Sequence, residues 1–304
     1  MCGLAGIIVQ KQDRNKNQIN EIKSAFKNML IKADTRGGHA TGFAIVDRFG
    51  DYIIYKRPLD ALEFFKDSEA VDMLDIAYED VTILMGHTRY ATKGKPEINK
   101  NNHPIRTGST IGTHNGSIHN HNQLFKKYKM KRHAQVDSEA IFRLYETSKN
   151  AKDFADNRLP NVRGRVAIVW ADIEFPEYVY AVKAKNPLEM VHIPSLNVLA
   201  YGSTKEIIKA GFKGKYEPVK INKNTMIRIN TATGRIRTRN IKITEPVQNN
   251  YYYNSDIGAY LKKSKYSHTV SDFVPRYSYG DLKQQSLFKK YKALDGSTIK
   301  KVSK

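Results

Sequence analysis

A chain of 304 residues with 40% apolar and 10% aromatic content can bury a core large enough for one or two domains, which excludes a disordered polypeptide. Its single cysteine, Cys2, excludes an intramolecular disulfide framework, and no run approaches about 18 apolar residues, so a cytoplasmic protein without a membrane span is expected. The net charge of +21 is uneven: residues 205–304 hold 22 Lys and Arg against 7 Asp and Glu, and this third of the chain is where anionic partners would be attracted.

In chain order, Leu4–Val9 is a short apolar run with β-branched residues and reads as a buried strand. Ile19, Ile22, Phe26, Met29, Leu30 and Ala33 recur with a helical period, so a helix is expected over 17–33. Runs at 42–47 and 51–56 flank Arg48-Phe49-Gly50 and predict a hairpin, followed by short amphipathic helices over 59–78. A buried strand over 81–85 is expected to deliver Gly86-His87-Thr88-Arg89 at its end, and 93–104 has no period and reads as a loop. The strand over 109–113 is expected to stop at a His114-Asn115-Gly116 turn.

Helices are predicted at about 121–128 and 138–147, the second capped by Asp137 or Ser138. Strands follow near 165–172, 177–183, 189–193, 197–201, 224–230 and 234–242, with a short helix from Ser203 or Thr204. Many strands between two helical groups point to an α+β layered fold with mostly antiparallel pairing. After Pro246 the texture changes. Residues 246–304 carry 11 Lys and Arg against 4 Asp and Glu, with eight tyrosines among them, and are expected to form a basic, partly disordered appendage to a domain spanning 2–245.

Removal of Met1 would leave Cys2 with a thiol and a free α-amine on one carbon, a nucleophile that carries its own base. Four polar clusters need a common purpose: Cys2-Gly3, Arg36–Gly42, Gly86–Thr92, and His114–Gly116 followed by Asp137–Glu139. An asparagine side chain beside a glycine N–H supplies two donors for an oxyanion, which singles out Asn115 and Gly116. Recognition of a free amino acid needs a guanidinium for the carboxylate and a carboxylate for the ammonium, and Arg89 and Asp137 are the natural pair. Taken singly, these residues have plainer readings: Cys2 a small buried hydrophobe, Arg89 or Asp137 a surface ion pair, Asn115-Gly116 a hairpin turn. Six of the nine histidines, His39, His87, His103, His114, His119 and His121, raise the question of a metal, but one cysteine and no helical His-x-x-x-His argue against it, and no cofactor is expected.

The ordered set of Cys2, Arg36-Gly37, Gly86–Thr92, His103-Pro104, His114–Gly116 and Asp137 resembles the class II glutamine amidotransferase domain, one of the N-terminal-nucleophile hydrolases. The resemblance covers about residues 2–245. It implies a four-layer αββα sandwich of two antiparallel sheets flanked by helices, with Cys2 between the sheets. It also implies that Cys2 attacks the side-chain amide of glutamine to form a thioester, with Asn115 and Gly116 as oxyanion donors. Substrate binding would fall to Arg89, Tyr90, Thr92, His103 and Asp137. Tyr90 stands where several members have tryptophan, and Lys93 where some have histidine.

No phosphate-binding loop, synthetase loop or dinucleotide fingerprint accompanies these motifs, so the ammonia acceptor is expected to be a separate synthetase or transferase. Two alternatives stand beside this reading: an amidohydrolase for another γ-glutamyl or small amide, and a non-catalytic binding protein that uses the basic C-terminal third. The 246–304 region fits docking on an acidic partner protein, with nucleic acid as the second partner class.

Overall fold

The computed structural model describes residues 2–75 and 79–244, with the backbone of two short strands, Tyr291–Leu294 and Thr298–Lys301. Apart from those strands, which pair with each other, the predicted appendage over 246–304 lies outside the described residues.

Two antiparallel sheets lie face to face. The first has seven strands, centred on β1 (Gly3–Val9). β1 is flanked on one side by β4 (Val81–Arg89), β2 (Ala40–Asp47) and β3 (Tyr52–Arg57). Its other side carries β10 (Val198–Gly202), β9 (Glu189–Ile193) and β11 (Glu217–Pro218). The second sheet has six strands: β5 (Ile105–Thr107), β6 (Thr110–Ile118), β7 (Gly164–Asp172), β8 (Tyr178–Ala184), β12 (Thr225–Asn230) and β13 (Ile236–Asn240).

Helices cover both outer faces. α1 (Lys16–Ala33) lies on the first sheet, together with the short α2 (Ala61–Phe64), α3 (Ser68–Leu74) and the later α7 (Lys205–Gly211). The second sheet carries α4 (His121–Lys127), α5 (Glu139–Glu146) and the single turn α6 (Ala151–Asp153). This is the expected αββα sandwich. Among the described residues no helix is long and apolar enough to cross a membrane.

The alternation within β1 explains its uninterrupted apolar sequence. Ala5, Ile7 and Val9 join the core under α1, whereas Leu4 and Ile8 join the core between the sheets. A strand buried on both faces has no position to spare for a polar residue. α1 begins where the sequence stops alternating: Asn15 and Gln18 form a reciprocal capping box, and Ile22, Ala25, Phe26, Met29, Leu30 and Ala33 are buried on one face. A third cluster around Trp170, Tyr180 and Phe142 fills the space between the second sheet and its helices.

Three local expectations need correction. β4 runs through Gly86–Arg89, so these residues lie within the strand and not beyond its end. His114-Asn115-Gly116 is likewise strand and not a turn, because β6 stays paired with β7 there, Asn115 opposite Ala167 and Gly116 opposite Val166. Neither Asp137 nor Ser138 caps α5 through its side chain. The Asp137 carboxylate accepts from the Ile118 N–H, and the Ser138 hydroxyl meets His114 Nδ1 at 2.8 Å.

Candidate active site

Cys2 sits at the mouth of the sandwich because β1 pairs with β4 up to Gly3 opposite Thr88, which leaves residue 2 beside the Arg89-Tyr90 end of its neighbour. No larger residue fits at position 3, since a Cβ there would lie 2.4 Å from the Ala33 carbonyl oxygen. The Arg36 Nε donates to the Cys2 carbonyl at 3.1 Å, so the predicted Arg36-Gly37 element fixes the backbone of the nucleophile. The thiol accepts from the Tyr90 N–H at 3.4 Å. Burial pushes the Cys2 thiol pKa up, while the Tyr90 N–H and the positive charge of Arg89 favour the thiolate.

A cleft of about 650 Å³ opens beside Cys2, and Tyr90, Thr92, Lys93, Asn115, Gly116, Ser117, Ile118, His119, Arg165 and Asn186 complete its lining. Asn115 is held from two sides. Its Nδ2 lies 3.3 Å from Ser203 Oγ, and its carbonyl accepts from Asn186 Nδ2 at 2.8 Å. Ser203 Oγ also accepts from the Leu4 N–H at 2.9 Å, so one hydroxyl ties the strand of the nucleophile to the candidate oxyanion donor. A Cβ at Gly116 would stand 1.9 Å from the Arg165 carbonyl oxygen, and the position admits glycine alone.

Arg89 and Asp137 lie behind the cleft walls and are both buried. Arg89 Nη1 donates to Asn102 Oδ1 at 2.8 Å, while Nη2 donates to the carbonyls of Lys93 and Gly94, the latter at 2.8 Å. Asp137 accepts from the N–H of Ile118, itself a cleft residue. The charges of Cys2 and Asp137 both act on Arg89, so the three predicted groups form one electrostatic cluster. Tyr90 is exposed, stacks on His39 at 4.9 Å between ring centres, and the neighbouring Ala91 N–H donates to His39 Nδ1 at 3.0 Å.

His103 is not brought to the cleft. Its ring is buried and stacks on His87 at 4.2 Å between centres, and neither ring nitrogen of His103 has a hydrogen-bond partner among the described residues. Burial holds His103 well below the usual imidazole range and His87 at about 3, so both rings are neutral near pH 7. Beneath them lies Lys56, whose Nζ donates to the carbonyls of Asn102 at 2.9 Å and Pro104 at 3.2 Å. Burial and the nearby Arg89 bring its pKa down to about 7.

The sequence does not mark Lys56, Asn102, Ser117, Arg165 or Asn186 as site residues, offers His119 only among the histidines weighed for a metal, and offers Ser203 only as the start of a helix. Asn102 adjoins the His103-Pro104 pair, and a polar residue there was a usable signal. Lys56 and Ser203 gave none, because their partners are distant in sequence.

No family model matches the chain. Glutamine–fructose-6-phosphate aminotransferase (isomerizing) of Haemophilus influenzae is 26% identical over 199 residues, covering 62% of this chain and 29% of that protein. The 7-cyano-7-deazaguanine synthase of Saccharolobus solfataricus is 25% identical over 228 residues, 73% of this chain and 46% of that one. The chain therefore spans less than half the length of either relative. Among solved structures, glutamine phosphoribosylpyrophosphate amidotransferase from B. subtilis superposes with a TM-score of 0.60 at 18% identity, over 80% of this chain and 50% of that chain, a likeness of fold. A cysteine at the mouth of an αββα sandwich, a glutamine–fructose-6-phosphate aminotransferase among its sequence relatives and a solved amidotransferase of like fold make the chain similar to the class II glutamine amidotransferases.

Proposed function

We propose that residues 2–245 hydrolyse the side-chain amide of glutamine and release glutamate and ammonia. The observation that carries this reading is the shared lining of one cleft by Cys2, Asn115 and Gly116. The Cys2 sulfur attacks the amide carbon, its proton passes by way of the α-amine to the departing nitrogen, and ammonia leaves a thioester. The Asn115 amide and the Gly116 N–H receive the oxyanion, and water then cleaves the thioester to glutamate. Arg89 takes the α-carboxylate and Asp137 the α-ammonium, while Tyr90 and Thr92 form the wall of the cleft. His103, stacked beneath, supports the loop that carries Asn102.

The ammonia serves a synthetase or transferase on a partner chain. This is supported by one relative whose name joins glutamine to an amino-group transfer and another named as a synthase of a nitrogen-containing product. Residues 246–304, with their net charge of +7, form the docking arm for that acceptor.

An assay of glutamate release from glutamine tests the reading. Activity that vanishes in Cys2→Ala supports it. Glutamate release that persists in that variant would remove Cys2 from the mechanism, and turnover of another amide with none of glutamine would favour the amidohydrolase alternative.

A further inference from the structure

The second sheet ends at β13, whose outer edge has no partner strand among the described residues. On this edge the alternation of the strand puts Arg237 and Arg239 on one face, about 6.8 Å apart, and Arg235 immediately precedes the strand. Arg239 is neutralised by Asp156, with two bonds of 2.7 Å. Arg235 and Arg237 form no ion pair among the described residues, and neither does Arg228, which stands directly across from Arg237 on β12. These three arginines, with Tyr178, Asn230 and Thr233, line a cavity of about 580 Å³ that has no carboxylate in its wall. The Arg228 guanidinium lies over the Tyr178 ring, 4.8 Å from its centre, a cation–π contact.

We propose that this face of the β12–β13 hairpin binds single-stranded nucleic acid. Three like charges around a cavity with no carboxylate in its wall repel one another, and an anionic ligand relieves that repulsion. Arg235 and Arg237 follow one another along the sheet edge and Arg228 stands beside Arg237 on β12, a positive charge spread over two strands that suits a polymer of phosphates. Asn230 and Thr233 add neutral donors of the kind that hold phosphate and sugar oxygens. Tyr178, with Arg228 over its ring, offers an aromatic platform for a base, a combination of basic track and aromatic surface that suits unpaired strands. A duplex would offer its bases no access to that platform.

The face is remote from the cleft. β7 has Arg165 at the Cys2 end and Ala171 at the other, where it pairs with Val179 beside Tyr178. Strand binding and amide chemistry therefore do not compete for space.

Fluorescence anisotropy with the full chain and a labelled single strand of about 12 nucleotides tests the proposal. The strand should bind, and affinity should fall steeply between about 50 and 200 mM salt. Replacing Arg228, Arg235 and Arg237 together by Gln should weaken binding at least about tenfold and reduce the salt slope by roughly 2, the value for three lost contacts to a single strand. Tyr178→Ala should weaken the single strand without changing that slope. An unchanged thermal midpoint shows that each variant is folded, and R235Q/R237Q, confined to exposed side chains at the sheet edge, serves if the triple variant is not. Wild-type affinity in a folded variant would place any binding elsewhere, for example in residues 246–304, and overturn the proposal. A preference for duplex, or equal displacement by polyglutamate, would also overturn it, the latter in favour of an acidic protein partner.

Discussion

Arg89 Nη1 donates to Asn102 Oδ1 at 2.8 Å, and this bond sets the attitude of the guanidinium proposed to receive the substrate carboxylate. Asn102 is itself fixed: its Nδ2 donates to the Pro96 carbonyl at 2.6 Å, and its carbonyl accepts from the buried Lys56 at 2.9 Å. The other terminal nitrogen of Arg89 is occupied by the Lys93 and Gly94 carbonyls, so a bound carboxylate must share or displace them.

Asn102→Ala should therefore raise KM for glutamine by roughly tenfold or more, the consequence of losing a hydrogen bond to a charged group at about 1.5–3 kcal/mol, with a smaller change in kcat. Arg89→Lys keeps the charge but loses the planar fork and should act in the same direction, as should Asp137→Asn at the ammonium. Steady-state kinetics separate the two parameters. A fall in kcat with unchanged KM in all three would detach this cluster from ground-state binding.

Asn115→Ala should lower kcat by about 10²–10³ while leaving KM close to its original value, as expected for an oxyanion donor. Ser203→Ala removes a group that only orients Asn115 and accepts from Leu4, so its loss of kcat should be smaller. Equal losses in both variants would mean that Ser203 itself contacts the reacting atoms.

The buried imidazoles predict acid sensitivity. Burial lowers the pKa of His87 to about 3 and also lowers those of His103 and His114, against an unfolded value near 6.5. Their depressed values mean that the unfolded state binds more protons as pH falls below about 6.5, so stability falls with it, at up to about 1.4 kcal/mol per pH unit for each histidine. Asp47, raised to about 6 by burial, works in the opposite sense between about 4 and 6, as does Asp34 with its raised value. Three histidines outweigh them near pH 6. Chemical denaturation across pH 4–7 should show this decline, and His103→Asn should flatten it.

The layered fold was legible because each strand at the centre of a sheet has an apolar signature and each helix a period that differs from it. β1 and α1 are the clearest cases, since their burial faces follow directly from the spacing of Ile, Leu and Phe. Asn115-Gly116 misled because its turn-like composition reports a steric requirement: the glycine is needed by the approach of Arg165 on the neighbouring strand, not by a change of direction. Asp137 and Ser138 misled for a related reason, as their cap-forming side chains are drawn away to Ile118 and His114. Lys56 was invisible, since nothing local marks a lysine in an alternating strand as the one that will be buried under a loop 46 residues away. Ser203 reaches Leu4 across 199 residues of sequence, a contact that only the closed sheet creates.

The central claim is that Cys2, freed of Met1, is the nucleophile toward glutamine. Intact-mass and peptide mass spectrometry of protein treated with a glutamine analogue bearing an electrophilic side chain tests it most directly. The account predicts one adduct per chain, on Cys2, in molecules that lack Met1, with glutamine protecting against labelling. Full glutaminase activity in protein that retains Met1, or an adduct on any other residue accompanying inactivation, would contradict it.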